Sequence, residues 1–297
     1  MKTFGDSITA GLNASPAANS WVNLFIPVNH AVSAAQAADM ANTVQSIIPS
    51  VSETYTFMVG TNDIYKYKTD TVKQGYFKQF LRHAITWMAY PVKVTAQEMI
   101  LTGSWWNVGV NSFGKACSTN GNTATATVAG DKVFVGFIIQ DNALTLGVGK
   151  VEIDGVEVGQ FACNGAGMVT VLGATYASAA LCFDVAQGTH TVKVTVTSTT
   201  GKYFYLNYIA GNEQPSPKIS VSNIIKWADS GYTANGLGPT ITEEYNALID
   251  SVIADFSCVA LVDNYSDIVP ALHLSSDGVH PNNAGHLIIH NNFKAML

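Results

Sequence analysis

The chain has 297 residues, 47% of them hydrophobic and 12% charged, with a formal net charge of −6. That length allows one large domain or two ordinary ones with ample core, and the charged share is about half that of an ordinary soluble domain. With no basic excess, nucleic acid is excluded as a partner, and no apolar run approaches the roughly 18 residues of a membrane span.

In chain order, Met1 to Phe4 form a short apolar stub that runs into Gly5-Asp6-Ser7-Ile8-Thr9, read as a strand end and turn. The turn stands where the charged and apolar regions of a secretory leader would lie, so no leader is read. A strand of four residues is short for a buried parallel sheet, and Lys2 suits a buried face poorly. Both features lead us to expect a native chain that extends upstream. Residues 25–34 (FIPVNHAVSA) read as strand and loop, and 38–49 as a helix stopped by Pro49. TYTFMVGTND (54–63) is a buried strand entering a turn, and 71–90 carries apolar residues at helical spacing.

From about Thr102 the texture changes to short alternating strands, at 123–130, 132–141, 144–159, 168–174, 189–199 and 202–211. Gly, Asn and Asp turns divide them, and VEIDGVEV carries an Asp-Gly hairpin signal. Helical texture returns after Pro215-Ser216-Pro217, with 220–231 and then 241–256. CVALVDNY (258–265) reads as another buried strand and 281–297 as a final helix. An α/β pattern thus brackets an all-β block. We expect one α/β domain made of 1–101 and 215–297, interrupted by an antiparallel β-sandwich over 102–214.

Three segments carry candidate chemistry. A serine directly after a strand, where the chain turns into a helix, exposes its hydroxyl at the sheet edge, with a helix amino terminus behind it. Ser7 fits that position. Asp277-Gly278-Val279-His280 places a carboxylate and an imidazole three residues apart in a tight turn, so Asp277 can orient His280. Asn62, in Gly60-Thr61-Asn62-Asp63 after the strand YTFMV, can aim its amide at an oxyanion.

These segments, in this order, resemble the blocks of the SGNH, or GDSL-like, hydrolase family. The resemblance covers residues 1–100 and about 215–297. It implies a three-layer α/β/α fold with a parallel sheet, no cofactor, and ester hydrolysis by a triad of Ser7, His280 and Asp277. The family's second block matches Asn29 to Ala35, with its glycine position on Ala34. An alanine there keeps the backbone N–H that completes an oxyanion hole with Ser7 and Asn62, provided φ stays negative.

Other residues read more plainly. Asp6 and Asp63 fix their turns, and Asp39 lies on a helix surface. His286 and His290, four apart, read as solvated helix positions and not as a metal pair, since no third ligand is near in sequence. His273 reads as a loop residue. Cys117, Cys163, Cys182 and Cys258 form no CxxC pair, so zinc is not expected, and buried free thiols are favoured over disulfides.

The β block resembles the jelly-roll modules that accompany carbohydrate-active enzymes. Trp105 and Trp106 at its start either stack on a sugar or belong to the core. Tyr65 and Tyr67 are candidate cleft walls. The first function expected is therefore a carbohydrate O-acetyl esterase, with an acetylated carbohydrate as partner and no membrane. A lipase-like or thioesterase-like hydrolase is the alternative within enzymes, and a non-catalytic glycan-binding module the alternative outside them. Low charge and Asn/Thr-rich strands look like a secreted or virion setting, such as a phage tail-spike esterase within a larger, oligomeric fibre.

Overall fold

A computed structural model describes residues 1–108, 113–141, 146–198 and 203–297. The chain begins with β1 (Lys2–Gly5), β2 (Val28–Asn29), α1 (Ala37–Thr43), β3 (Thr54–Met58), α2 (Thr61–Tyr67) and α3 (Thr71–Ala89). Among the described residues nine antiparallel strands follow: β4 (Val94–Thr95), β5 (Ile100–Thr102), β6 (Trp106–Asn107), β7 (Lys115–Cys117), β8 (Thr123–Gln140), β9 (Val148–Ile153), β10 (Val156–Ala162), β11 (Tyr176–Ser198) and β12 (Phe204–Gly211). The chain ends with β13 (Lys218–Ser222), α4 (Asp229–Ala234), α5 (Thr240–Ile253), β14 (Val259–Val262), α6 (Pro270–His273) and α7 (Asn283–Met296).

Among the described residues there are two sheets. The first is parallel, in the order β14-β13-β3-β1-β2. Its central strands β1, β3 and β13 are largely buried, whereas the edge strand β2 is exposed. Phe4 sits opposite Phe57 in register, with the rings stacked at 5.1 Å. Lys2 reaches the sheet's end, where its Nζ lies 2.6 Å from Glu53 Oε2. Of the segment 220–231, expected to be helical, only 229–231 enter a helix, α4, while Ser220 to Ser222 form the end of β13. Its Ile219 and Val221 pair with Tyr55 and Phe57 of β3, and this parallel pairing overrides the local texture.

The second sheet is antiparallel and takes all strands from β4 to β12. The strands β8 and β11 run through it as one long pair with a register shift between Asp184 and Gly188. The sheet begins at Val94, eight residues ahead of the expected boundary, because β4 and β5 are too short to show a pattern. The exit and return of the chain lie together: the Gln214 side chain accepts from Val92 N at 2.8 Å and donates to Val92 O at 2.9 Å. Residues 168–174, read as a strand, form no strand. The ends of the strands expected at 144–159, 189–199 and 202–211 lie partly outside the described residues.

The helix α3 joins the two sheets. Asp70 caps its start, accepting from Val72 N and Lys73 N. Phe77, Phe80, Leu81, Ala84, Ile85 and Met88 are buried along it, within one core that also contains Phe134, Phe137 and Tyr208 of the antiparallel sheet. Fully burying each such aromatic or aliphatic side chain contributes about 1.5–3 kcal/mol. His83 lies in this core 3.1 Å from Tyr208 Oη, and burial pushes its pKa down to about 3, so it is neutral there.

Candidate active site

Every parallel strand releases its carboxyl end toward the same edge of the first sheet, where loops of open α/β sheets converge. Ser7 follows β1, Asn62 follows β3, Trp227 follows β13, and the loop carrying Asp277 and His280 lies beyond β14. Gly5 must be glycine for Ser7 to sit there, since a Cβ would lie 2.2 Å from Thr9 Oγ1 and 2.3 Å from Met58 O.

Ser7 Oγ lies 2.9 Å from His280 Nε2, and His280 Nδ1 lies 2.9 Å from Asp277 Oδ2. With the ring proton on Nδ1 facing the carboxylate, Nε2 accepts from the serine hydroxyl. The Asp277 turn is self-supporting: its Oδ1 accepts from both Val279 N and His280 N at 2.9 Å. Gly278 takes φ 72° within it. Burial raises the Asp277 pKa, but the N–H donors of His280 and Val279 and the imidazole outweigh burial and hold it below the ordinary value.

A cleft of about 280 Å³ opens beside this chain of groups, lined by Thr61, Asn62, Tyr65, Trp227, Asn235, Asp277, Val279 and His280. Asn62 donates from Nδ2 to Ala35 O at 3.1 Å, leaving its second amide hydrogen for the cleft. Ala34 adopts φ 65°, so the condition set for an alanine at this glycine position is not met. The left-handed backbone costs an alanine roughly 1–2 kcal/mol. Among the described residues no acceptor takes the N–H of Ser7 or of Ala34.

Several expectations are corrected. No α-helix follows Ser7. Residues 6–14 form successive turns, such as Ala10 N to Asp6 O at 2.8 Å, so no helix dipole backs the hydroxyl. Tyr65 lines the cleft and is 45% exposed, but Tyr67 is buried, its hydroxyl accepting from Val169 N at 3.0 Å. Trp105 and Trp106 do not reach the cleft. Trp105 donates to Thr102 O and meets Phe204 edge-on, whereas Trp106 lines a separate pocket on the antiparallel sheet. The sheet packs on α3 and α1, which keeps both tryptophans away.

Asp39 is buried and not on a helix surface. It accepts from Gln36 N, Val171 N and Leu172 N, which is why 168–174 needs no strand partner. Asp63 reaches beyond its own turn to Ala37 N at 3.1 Å. His286 is also buried, with Nε2 3.1 Å from Leu12 O, and His290 packs on Phe25. His273 accepts on Nδ1 from Val269 N, closing α6. All four cysteines are free thiols.

Asn13, Trp227 and Asn235 escaped the sequence reading. Trp227 had a usable signal, since it follows an apolar run that ends as a parallel strand.

No family model matches the chain, and no curated protein matches it. Among solved structures it is similar to a member of the lipolytic protein G-D-S-L family from Veillonella parvula DSM 2008, at 12% identity and a TM-score of 0.47, covering 100% of this chain and 96% of that one. A two-domain esterase (CEX) active on acetylated mannans is similar at 12% identity and a TM-score of 0.43, covering 72% of this chain and 91% of that one. Carbohydrate-binding module CBM36, in complex with calcium and xylotriose, is similar at 23% identity and a TM-score of 0.30 over 40% of this chain and 96% of that one.

Proposed function

We propose that this protein is a serine esterase that removes O-acetyl groups from a carbohydrate. The observation that carries the reading is the unbroken hydrogen-bonded chain Ser7 Oγ, His280 and Asp277, each link 2.9 Å long. Such a chain lets the imidazole take the serine proton as the hydroxyl attacks an ester carbonyl.

In this reading Ser7 Oγ bonds to the acetyl carbon and its proton passes to His280 Nε2. The oxyanion is met by the N–H group of Ser7 and by the Asn62 amide. His280 then returns the proton to the leaving sugar oxygen as the ester bond breaks. Water, deprotonated by the same nitrogen, releases acetate and restores Ser7. Asp277 holds the ring tautomer throughout.

The cleft supports a small acyl group on a polar alcohol. Tyr65 and Trp227 offer aromatic surface beside the polar side chains of Thr61, Asn62 and Asn235. We place the catalytic unit at 1–93 and 215–297 and the β insert at 94–214, since β4 and β5 pair within the antiparallel sheet. The setting we infer is extracellular or virion-borne, where surface polysaccharide is met. Acetate release from acetylated polysaccharides, set beside hydrolysis of 4-nitrophenyl esters of increasing chain length, tests the reading. It expects acetyl esters to be preferred, with activity falling beyond butyrate. A preference for long acyl chains would instead make the protein lipase-like.

A further inference from the structure

The pocket that holds Trp106 is built like a binding site in its own right. It measures about 190 Å³ and is lined by Trp106, Val108, Ile138, Gln140, Tyr176, Tyr203 and Tyr205, none of which lines the ester cleft. Its walls come from β6, β8, β11 and β12, from Val108 just after β6 and from Tyr203 just ahead of β12, so strands carry most of it.

Four aromatic side chains converge there, and two of them are exposed. Trp106 is 40% exposed and Tyr203 50% exposed. Large aromatic groups grouped at the surface mark binding surfaces more often than chance exposure. Their rings stand nearly perpendicular, Trp106 to Tyr203 at 81° with centroids 5.5 Å apart, and Tyr203 to Tyr205 at 68° and 6.3 Å. Perpendicular walls make a corner that can hold a flat ring by one face and one edge.

The polar groups define the ligand further. Tyr205 Oη donates to Gln140 Oε1 at 3.2 Å, which orients the carboxamide, and among the described residues its N–H donors are left for a hydroxyl. Among the described residues no charged side chain lines the pocket, and the ligand class that suits this lining is neutral. A neutral ring with one apolar C–H face and a rim of hydroxyls is a sugar, because C–H groups pack on the electron-rich aromatic face. The volume suits a single pyranose ring.

We propose that this pocket is a second saccharide-binding site, which grips a neutral sugar residue of a polymer at a distance from the ester cleft. Two sites on one rigid protein raise the effective concentration of a polymer at the cleft without any new contact to the ester.

Affinity gel electrophoresis of the Ser7→Ala variant, in gels containing glucomannan, arabinoxylan or a soluble α-glucan, tests the proposal. Binding is read without turnover, so it stands or falls separately from the esterase reading. At least one polysaccharide should retard the protein. Adding Trp106→Ala, or separately Tyr203→Ala, should weaken that binding about tenfold or more, with melting temperatures showing that each variant is folded. Because both side chains are substantially exposed, truncating either leaves the core intact, and having two variants guards against one that fails to fold. Retardation unchanged in both folded variants, or no retardation by any of the three polysaccharides, would overturn the proposal.

Discussion

Asn13 Nδ2 lies 3.1 Å from Asp277 Oδ2, the same carboxylate oxygen that faces His280 Nδ1 at 2.9 Å. The donor comes from the turn after Ser7, so the loop that carries the serine also steadies the carboxylate behind the histidine. A hydrogen bond to a charged group contributes about 1.5–3 kcal/mol. Asn13→Ala should therefore lower kcat about tenfold with little change in KM, measured on a 4-nitrophenyl acetate assay. An unchanged kcat would mean that the Asp277 turn holds its orientation unaided.

Asn62 is the side-chain donor assigned to the oxyanion. Losing one such donor costs about 10²–10³ in kcat. Asn62→Ala should show that loss while KM moves little, and a loss expressed only in KM would assign Asn62 to substrate binding instead.

Asp6 precedes the serine and is buried, with Oδ1 accepting from Ile8 N at 3.0 Å. Burial pushes its pKa up to about 6, against the lowering by Ile8 N–H, His280 and Thr61. The folded chain then holds a proton that the unfolded chain has already released between about pH 4 and 6. Stability contributed at this site is therefore present at low pH and is lost as pH rises through 6. The shift corresponds to about 3 kcal/mol. Asp6→Asn removes the titration, so its melting temperature relative to wild type should rise from pH 4.5 to pH 8. A pH-independent difference would show that Asp6 does not titrate in this range.

Asp39 ties α1 to the antiparallel part of the chain through the N–H groups of Val171 and Leu172. Asp39→Ala would orphan them, each at about 1–3 kcal/mol. Guanidinium unfolding should show a loss of at least 2 kcal/mol; a loss below 0.5 kcal/mol, the usual range for surface substitutions, would mean that water satisfies both groups.

The contrast between Asp277 and Asp39 shows what a sequence makes legible. Asp277 and His280 are three residues apart, so their contact is set by one turn and can be read locally. Ser7 is readable because a strand end and a glycine mark its place. Asp39 is bound by groups more than 130 residues away, so its helical neighbourhood suggests a surface it does not have. His286 and Tyr67 were misread for the same reason, since their burial depends on distant segments that fold over them. Trp106 shows a third case: its aromatic character was visible, but which surface it joins depends on how the antiparallel sheet docks on α1 and α3. The parallel strand β13 was hidden because its pairing with β3 and β14 outweighs a local texture that suits a helix.

The most direct test of the central claim is the turnover of Ser7→Ala on an acetyl ester, with its melting temperature measured alongside. Triad members act as a unit, so the variant should lose on the order of 10⁴ or more in kcat while melting close to wild type. A folded Ser7→Ala protein that turns over at the wild-type rate would contradict the account.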